Sequence, residues 1–372
     1  MTSELPARRA PPQLLRSPTV SAAASRFLEN LMIDTRFLSR RVAAWVTTLP
    51  LLATAALAAE SSPEMSDGEL DRGLVPADAQ WLVHIDVEAG RDTRLIRAAV
   101  ALAERFDLRA ELDQFECVEG FLGVDPFSLL RSLTVFGGEL GADIARPHEQ
   151  GVAVLRATSA ASAVMARLVA RSEYRAVQLE GRVLHSWDAG GTDEVFCQTV
   201  AARESTDLLL MLSGDAGELL RALRVLEGAA PSLREASVAA LEARPAAGSF
   251  FYAEATGAIP GLDGIRPAST VADKATGMRL DISERDGLLG VSLAVETDKP
   301  EDALVLHGLA TGALALANMA LENDERLFEM QEVLDGLTLF VSGQSVGASL
   351  RFESRLLVET LHETAEAIRA PF

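Results

Sequence analysis

Lysine and cysteine are almost missing from this chain: each occurs twice in 372 residues, as Lys274 and Lys299 and as Cys117 and Cys197. So few lysines leave little room for Schiff-base chemistry and no lysine for a phosphate loop. The two cysteines have neither zinc nor redox spacing. In an oxidising compartment they would close a long loop, worth about 4 kcal/mol; as two buried free thiols they would be inert, and the sequence leaves both readings open. Cations of any kind are outnumbered, with 34 Lys and Arg against 54 Asp and Glu, for a net charge of −20. Seven of the arginines but only three of the acids precede Ala59, so the remainder is more acidic still. A phosphate backbone needs clustered cations, and none occur, which excludes nucleic acid as a partner.

What is present is, first, an address. In 36–59, RFLSRRVAAWVTTLPLLATAALAA, Arg36, Arg40 and Arg41 form a positive n-region, 42–57 is almost purely apolar, and Ala56-Leu57-Ala58 offers a small-x-small cleavage pattern. Residues 32–58 therefore read as a signal peptide, and the mature chain, beginning at Ala59, as periplasmic or otherwise exported. Residues 1–31 are rich in Pro, Arg, Ser and Ala without a sustained period, and read as a disordered tail or, since Met32 follows, as a misassigned start. The alternative is a membrane anchor left uncleaved. Thr47, Thr48, Pro50 and Thr54 weaken that run, which is barely long enough to span a bilayer. Membrane contact would come only through such an uncleaved signal.

The exported part divides on composition. An acidic linker covers 59–73, a first α+β domain 74–256, a Gly/Pro-rich linker 257–277 and a second α+β domain 278–372. In the first strand Trp81, Val83, Ile85 and Val87 alternate with His84, Asp86 and Glu88, which predicts an apolar buried face and a polar opposite one. Asp92 or Thr93 then caps a helix with the stripe Leu95, Ala99, Leu102 and Phe106, and a second helix carries Leu108, Leu112, Phe115 and Leu122. From there the chain repeats strand, turn, strand, helix: LTVFG with GVAVLRA, VFCQTVAA with DLLLML, MRLDIS with LLGVSLAVE, and LTLFVS with GASLRFES before a last helix over 355–369. Further strands fall around 176–187 and 249–254. The fold class is α+β: antiparallel sheets built from repeated β-β-α units, with helices covering mainly one face.

The opening LVPADAQWLVHIDVEA and the later ISERDGLLGVSLAVETDKPEDALVLHGLATGALALANM and LFEMQEVLDGLTLFVSGQSVGASLRFE resemble a group of uncharacterised exported bacterial proteins. In these a Pro-Ala-Asp strand motif opens the domain and an E-x-D-G hairpin precedes a long small-residue helix. The resemblance implies the fold and export, and carries over no catalytic residue.

Four motifs bear on chemistry. Gly343-Gln344-Ser345-Val346-Gly347 has the G-x-S-x-G form of a nucleophile elbow, which needs a strand before the serine and a helix after it. Residues 348–353 alternate like a second strand instead, so a hairpin turn is expected. His84, Asp86 and Glu88 form an H-x-D-x-E ladder that offers three ligands to a divalent cation, against the plainer reading of a solvated strand face. His362-Glu363 lacks the second histidine of a zinc-protease helix. Residues 303–321, ALVLHGLATGALALANMAL, carry no charge and contain Gly308-x-x-x-Gly312. A membrane helix would show this pattern, but the acidic flanks offer no basic anchor, so a helix buried against the sheet is expected, its glycines permitting close packing.

These residues point to an exported, non-enzymatic protein acting by binding or structural association, without a cofactor, on an unidentified protein or small-molecule partner in the cell envelope. The competing class is an exported hydrolase or divalent-metal-dependent enzyme whose site is assembled from distant segments.

Overall fold

The computed structural model describes residues 69–98, 126–138, 151–170, 174–188, 194–202, 205–236, 241, 243–257, 271, 273–322 and 334–359. The tail 1–31, the signal segment 32–58, the linker before residue 69, the helices expected over 99–122 with Cys117, most of the 257–277 linker and the last helix beyond 359 with His362 lie outside the described residues.

Twelve strands form one antiparallel sheet. They are β1 (Trp81–Asp86), β2 (Leu130–Gly137), β3 (Gly151–Ala157), β4 (Tyr174–Leu179), β5 (Arg182–Asp188) and β6 (Glu194–Ala201), followed by β7 (Leu208–Ser213), β8 (Ser249–Thr256), β9 (Ala275–Arg285), β10 (Leu288–Thr297), β11 (Leu337–Ser342) and β12 (Ser345–Glu353). In space the order is β11-β12-β10-β9-β8-β1-β2-β3-β7-β6-β5-β4. Local hairpins account for most neighbours. Glu180-Gly181 and Asp286-Gly287 turn two of them with positive φ at both central residues, the twist that a two-residue hairpin favours. The exceptions set the architecture, because β1 pairs with β8 in the middle of the sheet. Strands β8 and β9, which flank the Gly/Pro-rich span 257–277, are hydrogen-bonded neighbours from Ser249↔Ser283 to Thr256↔Gly277. The strands assigned from sequence to two domains thus belong to one sheet.

Helices among the described residues include α1 (Val87–Asp92), α2 (Pro126–Leu129), α3 (Ala161–Val169), α4 (Ala216–Leu226) and α5 (Pro300–Glu322). Helix α4 buries Leu219, Leu220, Leu223 and Leu226 as its spacing predicts, and Asp215 caps it by accepting from the Gly217 amide at 2.6 Å. Its stripe packs on Leu82, Phe136, Val152, Val154, Leu209 and Met211 in the main core. Following the register, that face continues through Tyr252, Asp281, Ser292 and Ser349. Helix α5 packs on Val295, Val346, Met278 and Val341, and α3 sits by Trp187 and Cys197; both groups point to the opposite face.

Two expectations are therefore corrected. Helices cover both faces of the sheet rather than mainly one, because apolar side chains stand on both: Leu82, Phe136, Val154 and Met211 on one, Val295, Val346, Trp187 and Cys197 on the other. In β1 the inward side is Leu82, His84 and Asp86, all nearly fully buried, while Val83 and Ile85 are half-buried. The apolar alternation pointed to the wrong face because both sides of a central strand are covered.

Candidate functional site

Strand β1 and the residue after its end position the three metal candidates. The strand stops at Asp86, whose carboxylate accepts from the Ala89 amide at 2.8 Å and so caps α1. Glu88 consequently lies in the helix, not on the strand ladder. There it makes a two-pronged ion pair with Arg131 at 2.9 and 3.1 Å. His84 is 3% exposed and its Nδ1 lies 2.9 Å from Thr134 Oγ1. The side chains are thus committed to three different partners, and the one-face arrangement expected from sequence does not form. Among the described residues no group of three or more His, Cys, Asp and Glu side chains is placed to hold a metal ion.

The register does assemble a polar row that the sequence did not reveal. Thr134, His84, Tyr252, Asp281, Ser292 and Ser349 are consecutive cross-strand partners on β2, β1, β8, β9, β10 and β12. Beside it, Glu254 stands opposite Arg279. Tyr252 donates its hydroxyl proton to Glu254 Oε2 at 2.6 Å. Residues 241 and 243–246, in neither helix nor strand, approach this row, and their backbone explains its chemistry. Ala246 N–H donates to Asp281 at 2.7 Å, Ala243 N–H to Glu254 at 3.4 Å, and the Arg72 guanidinium donates to the carbonyls of Leu241 and Ala243. A non-repetitive chain laid over a sheet has no ladder of its own, so side chains supply its partners. Burial raises the Glu254 and Asp281 carboxyls above the ordinary carboxylate range, against the opposing pull of these hydrogen bonds and of Arg279. Burial, then the neighbouring Glu254 charge, pushes the Tyr252 phenol up. The row is a sealed structural rail, since Tyr252 is fully buried and Asp281 6% exposed.

A second charged group sits at the end of β2 and β3. Asp207 accepts from Arg131 at 3.0 Å and from Arg156 at 2.9 Å. Burial alone would raise its carboxyl, but the hydrogen bonds from Arg156 and Arg131 outweigh it and hold it below the usual range. A cleft of about 210 Å³ opens beside Asp92, Thr93, Arg94, Arg97, Glu284 and Gly287. Its groups are consumed locally: the Glu284 carboxylate accepts from the Arg94 and Leu95 amides at 3.0 and 3.1 Å, and Arg97 donates to the Asp92 carbonyl.

Ser345 opens β12 directly after the Gly343-Gln344 turn, and Ser342 pairs with Ser345 across it. Gly343 has φ of 61°, as the first central residue of a two-residue hairpin can require. A strand, not a helix, follows the serine, so the elbow geometry is absent. Cys197 is a free, buried thiol, and burial pushes it up to about 12.

Helix α5 departs furthest from expectation. Ala303 and Leu306 are buried, but Leu304, Val305, Leu309, Leu316 and Met319 are 45–69% exposed. Among the described residues nothing lies within 4 Å of a Cβ built on Gly308 or Gly312, so the glycines do not serve close packing on the sheet. The helix packs over β10, β11 and β12 at one end of the sheet and turns an uncharged stripe outward. No helix among the described residues is long and apolar enough to cross a membrane.

No family model and no curated protein matches the chain. Among solved structures, crystal form III of TP0453 aligns with a TM-score of 0.37 and 8% identity, over 78% of this chain and 98% of that one. Crystal form IV of TP0453 aligns with a TM-score of 0.38 and 9% identity, over 79% and 96%. Likenesses this slight carry no argument about fold or function.

Proposed function

We propose that this is an exported, non-enzymatic protein that acts by binding or structural association with a protein or small molecule of the cell envelope. One observation carries the reading: the outward stripe of α5, with five large apolar side chains 45–69% exposed and no charge between Ala303 and Leu321. Exposed apolar surface of this kind marks interaction sites on proteins that are otherwise covered by charge. The titratable groups, by contrast, are spent on holding the chain together. Export rests on the signal pattern of 32–58. The repeated β-β-α unit belongs to the same proposal, as the framework that displays α5 at one end.

The test is site-specific photo-crosslinking in the living cell. A benzophenone side chain at Leu316 should give a discrete adduct, and one at Arg182, the first residue of β5 beside the far edge strand, should not. Absence of any adduct from Leu304, Leu309 and Leu316 alike would overturn the reading.

A further inference from the structure

The narrow end of the sheet that carries α5 also carries its edge strand. β11 pairs with β12 on one side only, and among the described residues no strand pairs with its other side. In a two-residue hairpin the pair flanking the turn, Ser342↔Ser345, exchanges both backbone hydrogen bonds, and such pairs alternate along the ladder. Ser342, Phe340 and Thr338 therefore aim their backbone groups at β12. Leu337, Leu339 and Val341 aim theirs outward.

Natural sheets blunt such an edge with charge, proline, a bulge or extreme shortness. β11 has none of these: LTLFVS contains no charged residue and no proline, and its pairing with β12 runs without a register shift over six positions. The chemistry it asks for is an uncharged extended strand that brings its own N–H and C=O groups.

We propose that the occupant is β11 of a second copy of this chain, giving a two-fold dimer with a continuous sheet. The register is self-complementary. Centred on Leu339, an antiparallel pairing sets Leu339 against its own symmetry mate and Leu337 against Val341 of the other copy, so all outward groups find partners. Thr338 then faces the Phe340 position of the second chain, and no charge opposes a like charge. A two-fold axis normal to the sheet keeps both α5 helices on the same face. Charge selects this end too. Two chains of net charge −20 repel each other, whereas β11, the Gly343-Gln344 turn and 303–321 contain no carboxylate. An isologous contact of this kind closes on itself and, among the described strands, leaves the β4 edges at the two ends of the joined sheet.

The experiment is native mass spectrometry and sedimentation of the full exported chain across a dilution series. A dimer is expected. Leu339→Pro removes an outward N–H that the monomer does not use, and Thr338→Lys places a charge on an exposed edge position. Each should weaken dimerisation by at least about tenfold while the melting temperature extrapolated to low concentration changes little for Thr338→Lys. In a background of Cys117→Ser and Cys197→Ala, Leu339→Cys should form a symmetric intermolecular disulfide on mild oxidation, and Thr338→Cys should not. A monomer at every concentration, a dimer indifferent to both substitutions, or flotation of the monomer with phosphatidylcholine vesicles in place of dimerisation would overturn the proposal. The crosslinks from α5 are read separately, so this dimer can fail while the binding reading stands.

Discussion

Gly347 is the residue whose identity is dictated most narrowly. A Cβ built there would stand 2.0 Å from Phe340 Cζ, because the ring of β11 lies flat across the backbone of its partner strand. Gly347→Ala should cost about 1–3 kcal/mol and lower the melting temperature. Phe340→Leu in the same chain should restore part of the loss, and strict additivity of the two substitutions would contradict the contact. Cys197 makes the complementary case. Its buried thiol, pushed up to about 12, should escape N-ethylmaleimide in the native protein at neutral pH and react only after unfolding, as read by peptide mass mapping. The carboxyls divide by sign. Asp207 is held low, so its contribution is present above the ordinary carboxylate value and lost as pH falls through its lowered one. Glu254 and Asp281 are raised, so the folded state holds their protons longer than the unfolded chain, and they subtract stability as pH rises through the raised values. Denaturant midpoints across pH should therefore show Asp207→Asn flattening the acid limb and Glu254→Gln flattening the decline above the ordinary carboxylate range. The opposite assignment of limbs would refute the account.

At the scale of elements, local signals were legible and long-range ones were not. The hairpins β6–β7, β9–β10 and β11–β12 stand where turn residues and two-residue alternation place them, since a hairpin is decided within a dozen residues. The face that β1 buries was not legible, because Trp81, Val83 and Ile85 against His84, Asp86 and Glu88 reads as a half-solvated strand. The buried polar group of Tyr252, Glu254 and Asp281 has no sequence signal at all: these residues come from β8 and β9, and their purpose lies in a third segment. Helix α5 misled for a different reason. An uncharged helix with two glycines has the composition of a buried one, and only its place over a sheet end leaves one side open. Asp86 shows how a candidate ligand turns into a structural group. As the cap of α1 it should tolerate Asn, while Asp86→Ala should cost roughly 0.5–2 kcal/mol. Melting curves that rank Asn with Ala would argue against the cap.

The sheet hangs on one central ladder. Strands β2 to β7 lie on one side of β1, strands β9 to β12 on the far side of β8, and only β1–β8 joins them within the sheet. A chain that ends at Thr256 would leave β8 without β9, and Glu254 and Tyr252 without Arg279 and Asp281 across the strand. Such a fragment should show no cooperative unfolding transition, whereas the whole chain should unfold in a single one, as followed by circular dichroism in urea. Two separate transitions, with the first reproduced by the fragment, would instead support the two-domain division at 257–277.

The pairing of β1 with β8 also has a consequence in time. Trp81 to Ile85 must wait for Phe251 to Ala255, which a ribosome delivers on the order of ten to thirty seconds later. Through that interval β1 is itself a bare edge, apolar at Trp81 and Leu82, on a half-built sheet. The nascent chain is thus most vulnerable to misassembly in the middle of its synthesis, and a carrier that keeps it unfolded until β8 emerges would protect a strand that later lies covered in the middle of the sheet.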